Sequence, residues 1–214
     1  MKTYIIISAV LLALISCKKE QLQIPTTEKP NNCYTPTTMG SYWIYDWVEV
    51  DTNGVETPLP YKDTLRIIGD TTINNYVYTI TRGTSMGGTP RSFFTRDSSG
   101  YIVNNRGNIS YSYTNFTDTI HRHYDPQLWN YNVKMFNNIQ VSIPIGTFSS
   151  LEARRFYFYP SGDPANNFGD PYFTLSSLFV QGVGKVKGMT GWINDLMNCG
   201  TIMEQRLVEY YIAP

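Results

Sequence analysis

The sequence predicts an all-β domain with at most minor helix, an antiparallel meander of eight to ten short strands that forms a curved sheet or a partly open barrel. Three observations carry this expectation. Aromatic residues make up 14% of the chain, with 17 tyrosines, against 16% charged, a mixture that suits pleated, half-buried strands. Turn formers such as Asn53-Gly54, Asn74-Asn75 and Asp97-Ser98-Ser99-Gly100 recur between β-rich runs, the spacing of sequence-neighbour hairpins. No window of a dozen residues sustains a helical period. Only PYFTLSSLF (171–179) and GWINDLMN (191–198) have the pattern of a short helix.

The chain opens on a segment that is not part of the fold. Lys2 precedes an uncharged apolar run over 4–15, the pattern of a secretory signal and well short of the ~20 apolar residues that cross a bilayer. The ending Leu14-Ile15-Ser16-Cys17 resembles the lipobox of bacterial lipoproteins, which implies cleavage after 1–16 and acylation of the Cys17 thiol. Two or three acyl chains anchor stably, since each buried methylene contributes about 0.8 kcal/mol. Lys18 and Lys19 stand where the retention rule of enteric bacteria would place an aspartate. By that resemblance the protein is anchored in the outer membrane and faces the periplasm or the cell surface. Residues 17–32, polar and with two prolines, form a flexible tether. A single β domain over 33–214 follows.

Charge and cysteines narrow the partners. The chain carries 17 basic and 17 acidic residues, and the signal removes only Lys2, so no basic patch argues for nucleic acid. Cys33 and Cys199 are expected to form a disulfide, as an even pair in an exported protein does; two separate thiols are the alternative. A metal site on them is disfavoured, because neither has a second ligand at the usual spacing.

The strands follow in order. In GSYWIYDWVEVDTNG (40–54), Trp43, Tyr45 and Trp47 share one face and Tyr42, Ile44, Val48 and Val50 the other. With both faces largely apolar, the strand is expected to be sandwiched and its tryptophans to be core, a ligand platform being the alternative. DTLRIIGDTTINNYVYTITRG (63–83) and RSFFTRDSSGYIVNN (91–105) each read as a hairpin. NISYSYTNFTDTIHRHY (108–124) reads as one bulged strand or two joined strands. NIQVSIPIGTF (138–148) and LEARRFYFYP (151–160) pair about Gly146, with Pro144 at an edge or bend. FVQGVGKVKG (179–188) and MEQRLVEYYI (203–212) close the domain, Lys185 and Lys187 pointing outward with a bulge at Gly184.

These residues together resemble a family. Tyr34-Thr-Pro, Gly40-Ser-Tyr-Trp43, Ile67-Ile-Gly-Asp70, Arg96-Asp-Ser-Ser-Gly100, Gly182-Val-Gly184-Lys-Val and Glu204-Gln-Arg-Leu-Val-Glu-Tyr occur in order from residue 34 onward. The set looks like outer-membrane lipoproteins of the Bacteroidetes type. The resemblance implies an exported sheet similar to lipocalin-like or lipoprotein-carrier-like half barrels, and it carries no catalytic residue across. Asp63-Thr64-Leu65, Asp70-Thr71-Thr72 and Asp118-Thr119-Ile120 further resemble the O-glycosylation acceptor of such exported proteins.

Chemistry is sparse. His121 and His123 share a strand face near Asp125, enough for a metal only with a further ligand. No Gly-x-Ser-x-Gly elbow is present, and Asp63, Asp70, Asp97 and Asp118 read as turn and strand-end caps rather than a catalytic pair. GVGKVKG lacks the spacing of a phosphate loop. The expectation is therefore no enzyme and no cofactor, but a binding lipoprotein for an apolar or glycan ligand facing Trp43, Tyr45, Trp47, Tyr157 and Tyr159. The alternative is a structural envelope component that binds partner proteins.

Overall fold

The computed structural model of the protein describes residues 34–51, 53–124, 130–158, 174–191 and 201–214. Twelve strands and no helix lie among the described residues. They are β1 (Tyr42–Asp51), β2 (Glu56–Ile73), β3 (Tyr76–Gly83), β4 (Arg91–Ser98), β5 (Tyr101–Asn104), β6 (Ile109–Ser112), β7 (Thr119–His123), β8 (Asn130–Ile143), β9 (Gly146–Phe158), β10 (Thr174–Val180), β11 (Gly184–Gly191) and β12 (Thr201–Tyr211).

All twelve form one sheet in the order β6-β5-β4-β3-β2-β1-β12-β11-β10-β9-β8-β7. Every pairing is antiparallel, and β1 pairs β12 from Tyr42 opposite Tyr211 to Asp51 opposite Thr201. The two edges, β6 and β7, are consecutive in the chain and lie side by side without a ladder between them. The result is a nearly closed barrel with one unsealed seam, as the antiparallel meander read from the sequence anticipates.

The curvature has local causes. Registers slip at Ile44/Tyr45 and Asp46/Trp47 on β1 and at Ile67/Gly69 on β2. They slip again at Phe136/Ile139 on β8 and at Leu178/Phe179 on β10. Each slip gives one strand extra residues, Pro60 and Tyr61 of β2 at the Asp46/Trp47 step and a net one at the others, and bends the sheet there. The seam is held by side chains: Ile102 and Tyr111 on one side pack in one cluster with Ile120, Val133, Met135 and Leu151 on the other. Its edge strands are only four and five residues long, which limits the open backbone offered to another chain.

A second cluster gathers Trp43, Tyr45, Ile67, Val186 and Leu207 with Val141 and Ile143 of the β8 end. The alternating burial of β1 matches the expected division of faces, with Trp43, Tyr45 and Trp47 all buried. The turn predictions hold where backbone geometry demands them. Asn74 and Asn75 both adopt positive φ (51° and 64°), which a two-residue hairpin of the right twist requires. Ser99 and Gly100 do the same (52° and 90°).

Several expectations are corrected. Residues 174–179 of the first helix candidate lie in strand β10, because hydrogen-bonded neighbours on both sides override a short period; residues 171–173 and 192–198 lie outside the described residues. FVQGVGKVKG is not one strand but the end of β10, a turn at 181–183 and the start of β11. The bulge there sets Leu178 opposite Lys187 and Phe179 opposite Lys185, so Val186 is the extra residue. Lys185 consequently lies on the core side rather than outward. Residues 138–143 belong to β8 and Gly146 opens β9, with Pro144 in the turn, where its missing N–H costs no ladder bond. The stretch 108–124 resolves into two strands, β6 and β7, on either side of the seam.

Candidate functional site

Two polar features interrupt the core. The first is centred on Asp63, which sits in mid-β2 with 0% exposure rather than at a strand end as its sequence setting suggested. The register sets Asp63 opposite Tyr45 and Trp47 opposite Gln205, so the four residues face the same side. Trp47 Nε1 and Gln205 Nε2 donate to Asp63 Oδ2 at 2.7 and 2.6 Å. Thr84 Oγ1 and the Gly87 N–H each donate to Oδ1 at 3.1 Å. A carboxylate held by four donors is a structural hub; its lone pairs are committed, so it is a poor general base.

Lys185 borders this hub. Its Nζ donates to Gln205 Oε1 at 2.5 Å and stands 5.2 Å from the Tyr45 ring centroid, within reach of a cation–π attraction. Burial pulls the Lys185 pKa down to about 8, against the opposing pull of Asp63 and with some repulsion from Arg155. The Tyr45 hydroxyl donates to the Lys185 carbonyl at 2.8 Å. Burial, then the fields of Asp63 and Tyr111, hold that phenol protonated far above its usual range.

The second feature is a cavity beneath the segment that precedes β1. Residues 34–37 are strapped to the barrel: the Tyr111 hydroxyl donates to the Tyr34 carbonyl at 3.2 Å and is hydrogen-bonded to the Thr35 hydroxyl. The Tyr34 and Tyr113 rings stack at 5.8 Å. Pro36 packs so close to Gly184 that a Cβ there would come within 3.3 Å of its Cδ. Between this strap and β4–β5 lies a cavity of about 210 Å³, lined by Tyr34, Thr35, Thr37, Thr95, Arg96, Asp97, Ile102 and Tyr113. Asp97 stands opposite Ile102, and its Oδ2 accepts the Tyr113 hydroxyl. The Arg96 guanidinium lies 4.2 Å from the Tyr76 ring centroid, and its Nε donates to the Tyr78 hydroxyl at 3.3 Å.

The residues singled out in the sequence fall elsewhere. Trp43, Tyr45, Trp47 and Tyr157 are buried, and none lines this cavity; Cys17, Cys33, Tyr159 and Cys199 lie outside the described residues. Trp43 donates its Nε1 to the Val183 carbonyl at 2.6 Å. His121 and His123 both lean on the Tyr131 ring, at 6.0 and 4.9 Å between centroids. Burial first, then the His123 charge, lowers the His121 pKa. Among the described residues no group of three His, Cys, Asp or Glu is placed to hold a metal, and no helix is long and apolar enough to cross a membrane. Thr64 is exposed, while Thr71 and Thr119 are half-buried. The cavity lining escaped sequence reasoning, because the strap and β4–β6 meet only when the sheet curls. The one local signal was Asp97, whose Oδ1 accepts the Gly100 N–H at 2.9 Å as a turn cap.

No family model and no curated protein matches the chain. Two crystal structures are similar in outline. One is described as an exported protein with a YmcC-like fold from Bacteroides fragilis NCTC 9343, at TM-score 0.48 and 11% identity, with 84% of this chain and 99% of that chain covered. The other is described as a lipoprotein from Parabacteroides distasonis ATCC 8503, at TM-score 0.41 and 12% identity, with 86% and 100% covered.

Proposed function

We propose that this protein is an outer-membrane-anchored exported lipoprotein whose barrel is a noncatalytic module for a small glycan or apolar ligand, held in the cavity beneath residues 34–37. The cavity carries this reading. Its volume of about 210 Å³ is below the ~300–1,000 Å³ of sites that take drug-sized ligands, so it suits a single sugar ring or a short apolar group. Its lining combines two tyrosine rings and Ile102 with threonine hydroxyls, Asp97 and Arg96: apolar faces for contact and a few polar groups for orientation. The strap directly follows the tether that the lipobox reading places behind Cys17, so the site would sit at the membrane-proximal start of the domain.

Saturation-transfer NMR of the full chain against small saccharides and short apolar compounds tests the reading. At least one ligand of either class should bind, and Thr95→Phe, which fills the cavity, should abolish its signal while leaving the melting temperature within a few degrees. Absence of binding by both classes, or binding indifferent to the filled cavity, would overturn it.

A second reading, partner binding, has its own observation. Val77 of β3 and Phe93 of β4 share one sheet face and are 64% and 41% exposed, and exposed apolar surface marks contact sites. Chemical crosslinking of the acylated protein in membranes distinguishes the two: a specific adduct lost on Val77→Asp with Phe93→Asp favours the partner.

A further inference from the structure

Two cations meet on the core side of the sheet where, among the described residues, no carboxylate is free to pair with them. Arg155 of β9 stands opposite Leu175, Ser177 of β10 lies between Ala153 and Gly188, and Phe179 lies between Leu151 and Lys185. Arg155 Nη2 donates to Ser177 Oγ at 3.4 Å. A Cβ built on Gly188 would find Lys185 Nζ at 3.6 Å, so the ammonium lies over the glycine that faces Ser177. Arg155, Ser177 and Lys185 thus form an arc across three strands. All three are half-buried, whereas Ala153, Leu175, Phe179 and Gly188 around them are buried; the arc is a reachable polar spot in an otherwise closed face.

Its charge is uncompensated. The carboxylate whose field reaches Lys185 is Asp63, and Asp63 already accepts four hydrogen bonds. Among the described residues the hydrogen bonds to Gln205 and Ser177 are the ones Lys185 and Arg155 make, and neither cation is in an ion pair. Two like charges brought together at the edge of an apolar core raise the energy of the fold. As stability devices they would be better replaced by apolar side chains. Counting Asp63, the patch carries one positive charge in excess, and donor N–H groups remain on both cations.

We propose that the Arg155–Ser177–Lys185 arc binds the carboxylate head of an amphiphilic acid. A monoanion neutralises the single excess charge, where a phosphate dianion would overshoot it. The guanidinium fork matches the two carboxylate oxygens, the ammonium adds a third donor, and Phe179 and Leu175 flank the place where an apolar tail begins. Phe179, which borders the arc, stacks on Tyr111 at 3.8 Å, and neither Arg155, Ser177 nor Lys185 lines the strap cavity.

The test is residue-specific protection in the full chain. Acetylation by acetic anhydride is followed peptide by peptide by mass spectrometry, with Lys187, ion-paired to Glu204 at 2.7 Å, as the internal reference. Octanoate should slow acetylation of Lys185 at least tenfold relative to Lys187, whereas octanol and inorganic phosphate should not. Arg155→Met should raise the octanoate concentration needed for half-protection at least tenfold, and Arg155→Lys, which keeps the charge and loses the fork, should fall between. Equal protection by octanol, full protection by phosphate, or none by octanoate would each overturn the proposal. A misfolded Arg155→Met is recognised by a changed Lys187 rate, and Arg155→Lys then decides.

Discussion

Replacing Asp63 by alanine removes the acceptor on which β1, β12 and the 84–87 loop converge. Two of its four donors, Trp47 Nε1 and Gln205 Nε2, are buried, at 2.7 and 2.6 Å from the carboxylate. A buried donor left without a partner costs about 1–3 kcal/mol, so the pair costs about 4 kcal/mol. The Thr84 and Gly87 donors are only partly buried, turn to solvent and add little. In a domain of this size about 2–4 °C of melting temperature goes with each kcal/mol, which makes the expected loss about 12 °C. Asp63→Asn separates hydrogen bonding from charge. Its carbonyl can still accept from Trp47 and Gln205, its amide opposes only the Gly87 N–H, and the expected loss is about 1–2 kcal/mol. Urea denaturation followed by tryptophan fluorescence measures both. Asp63→Ala within about 0.5 kcal/mol of wild type, or an asparagine variant as damaged as the alanine one, would refute the hydrogen-bond reasoning.

Three further outcomes are expected. Gly83→Ala should cost about 3 kcal/mol, at the upper end of overpacking, because its Cβ would lie 2.0 Å from the Thr64 carbonyl oxygen and 2.9 Å from Leu65 Cα. Gly54→Ala, with nothing within 4 Å but φ at +78°, should cost only the ~1–2 kcal/mol of a left-handed conformation, and urea midpoints of the two variants compare them. Lys185 holds its proton less tightly in the fold, with a pKa of about 8, than in the unfolded chain at about 10.4. Above pH 8 the unfolded state therefore binds more protons and stability rises toward pH 10, beyond which Tyr45, kept protonated in the fold, acts in the opposite direction; Lys185→Met should flatten the rise in denaturation midpoint between pH 8 and 10. Cys17→Ala should leave the precursor uncleaved or release it from membranes, read by fractionation and intact mass, while a normally acylated product would sink the anchor reading.

Local chemistry made much of the fold legible. The alternation of Trp43, Tyr45 and Trp47 appears as alternating burial on β1, and Asn74-Asn75 and Ser99-Gly100 turn where paired positive φ is needed. Legibility failed at the bulge between β10 and β11. The slip between Leu178 and Phe179 turns Lys185 to the core side, which a strict period of two cannot anticipate, and PYFTLSSLF shows how ladder bonds outweigh a faint helical period. Asp63 escapes for a related reason: an aspartate between strand formers looks like a cap until four donors remote in the chain surround it.

What the sequence by itself determined is the strand content, the turn positions and the division of β1 into faces, because φ/ψ preference and side-chain alternation act over a few residues. The tertiary structure alone decided the pairing of β1 with β12, with Tyr42 opposite Tyr211, and the seam between β6 and β7. It also decided the Asp63 hub, the cavity under residues 34–37 and the meeting of Arg155 with Lys185. Each of these joins residues far apart in the chain or across a bulge, and their contact follows from the accumulated bend of twelve strands, a quantity that no local window contains.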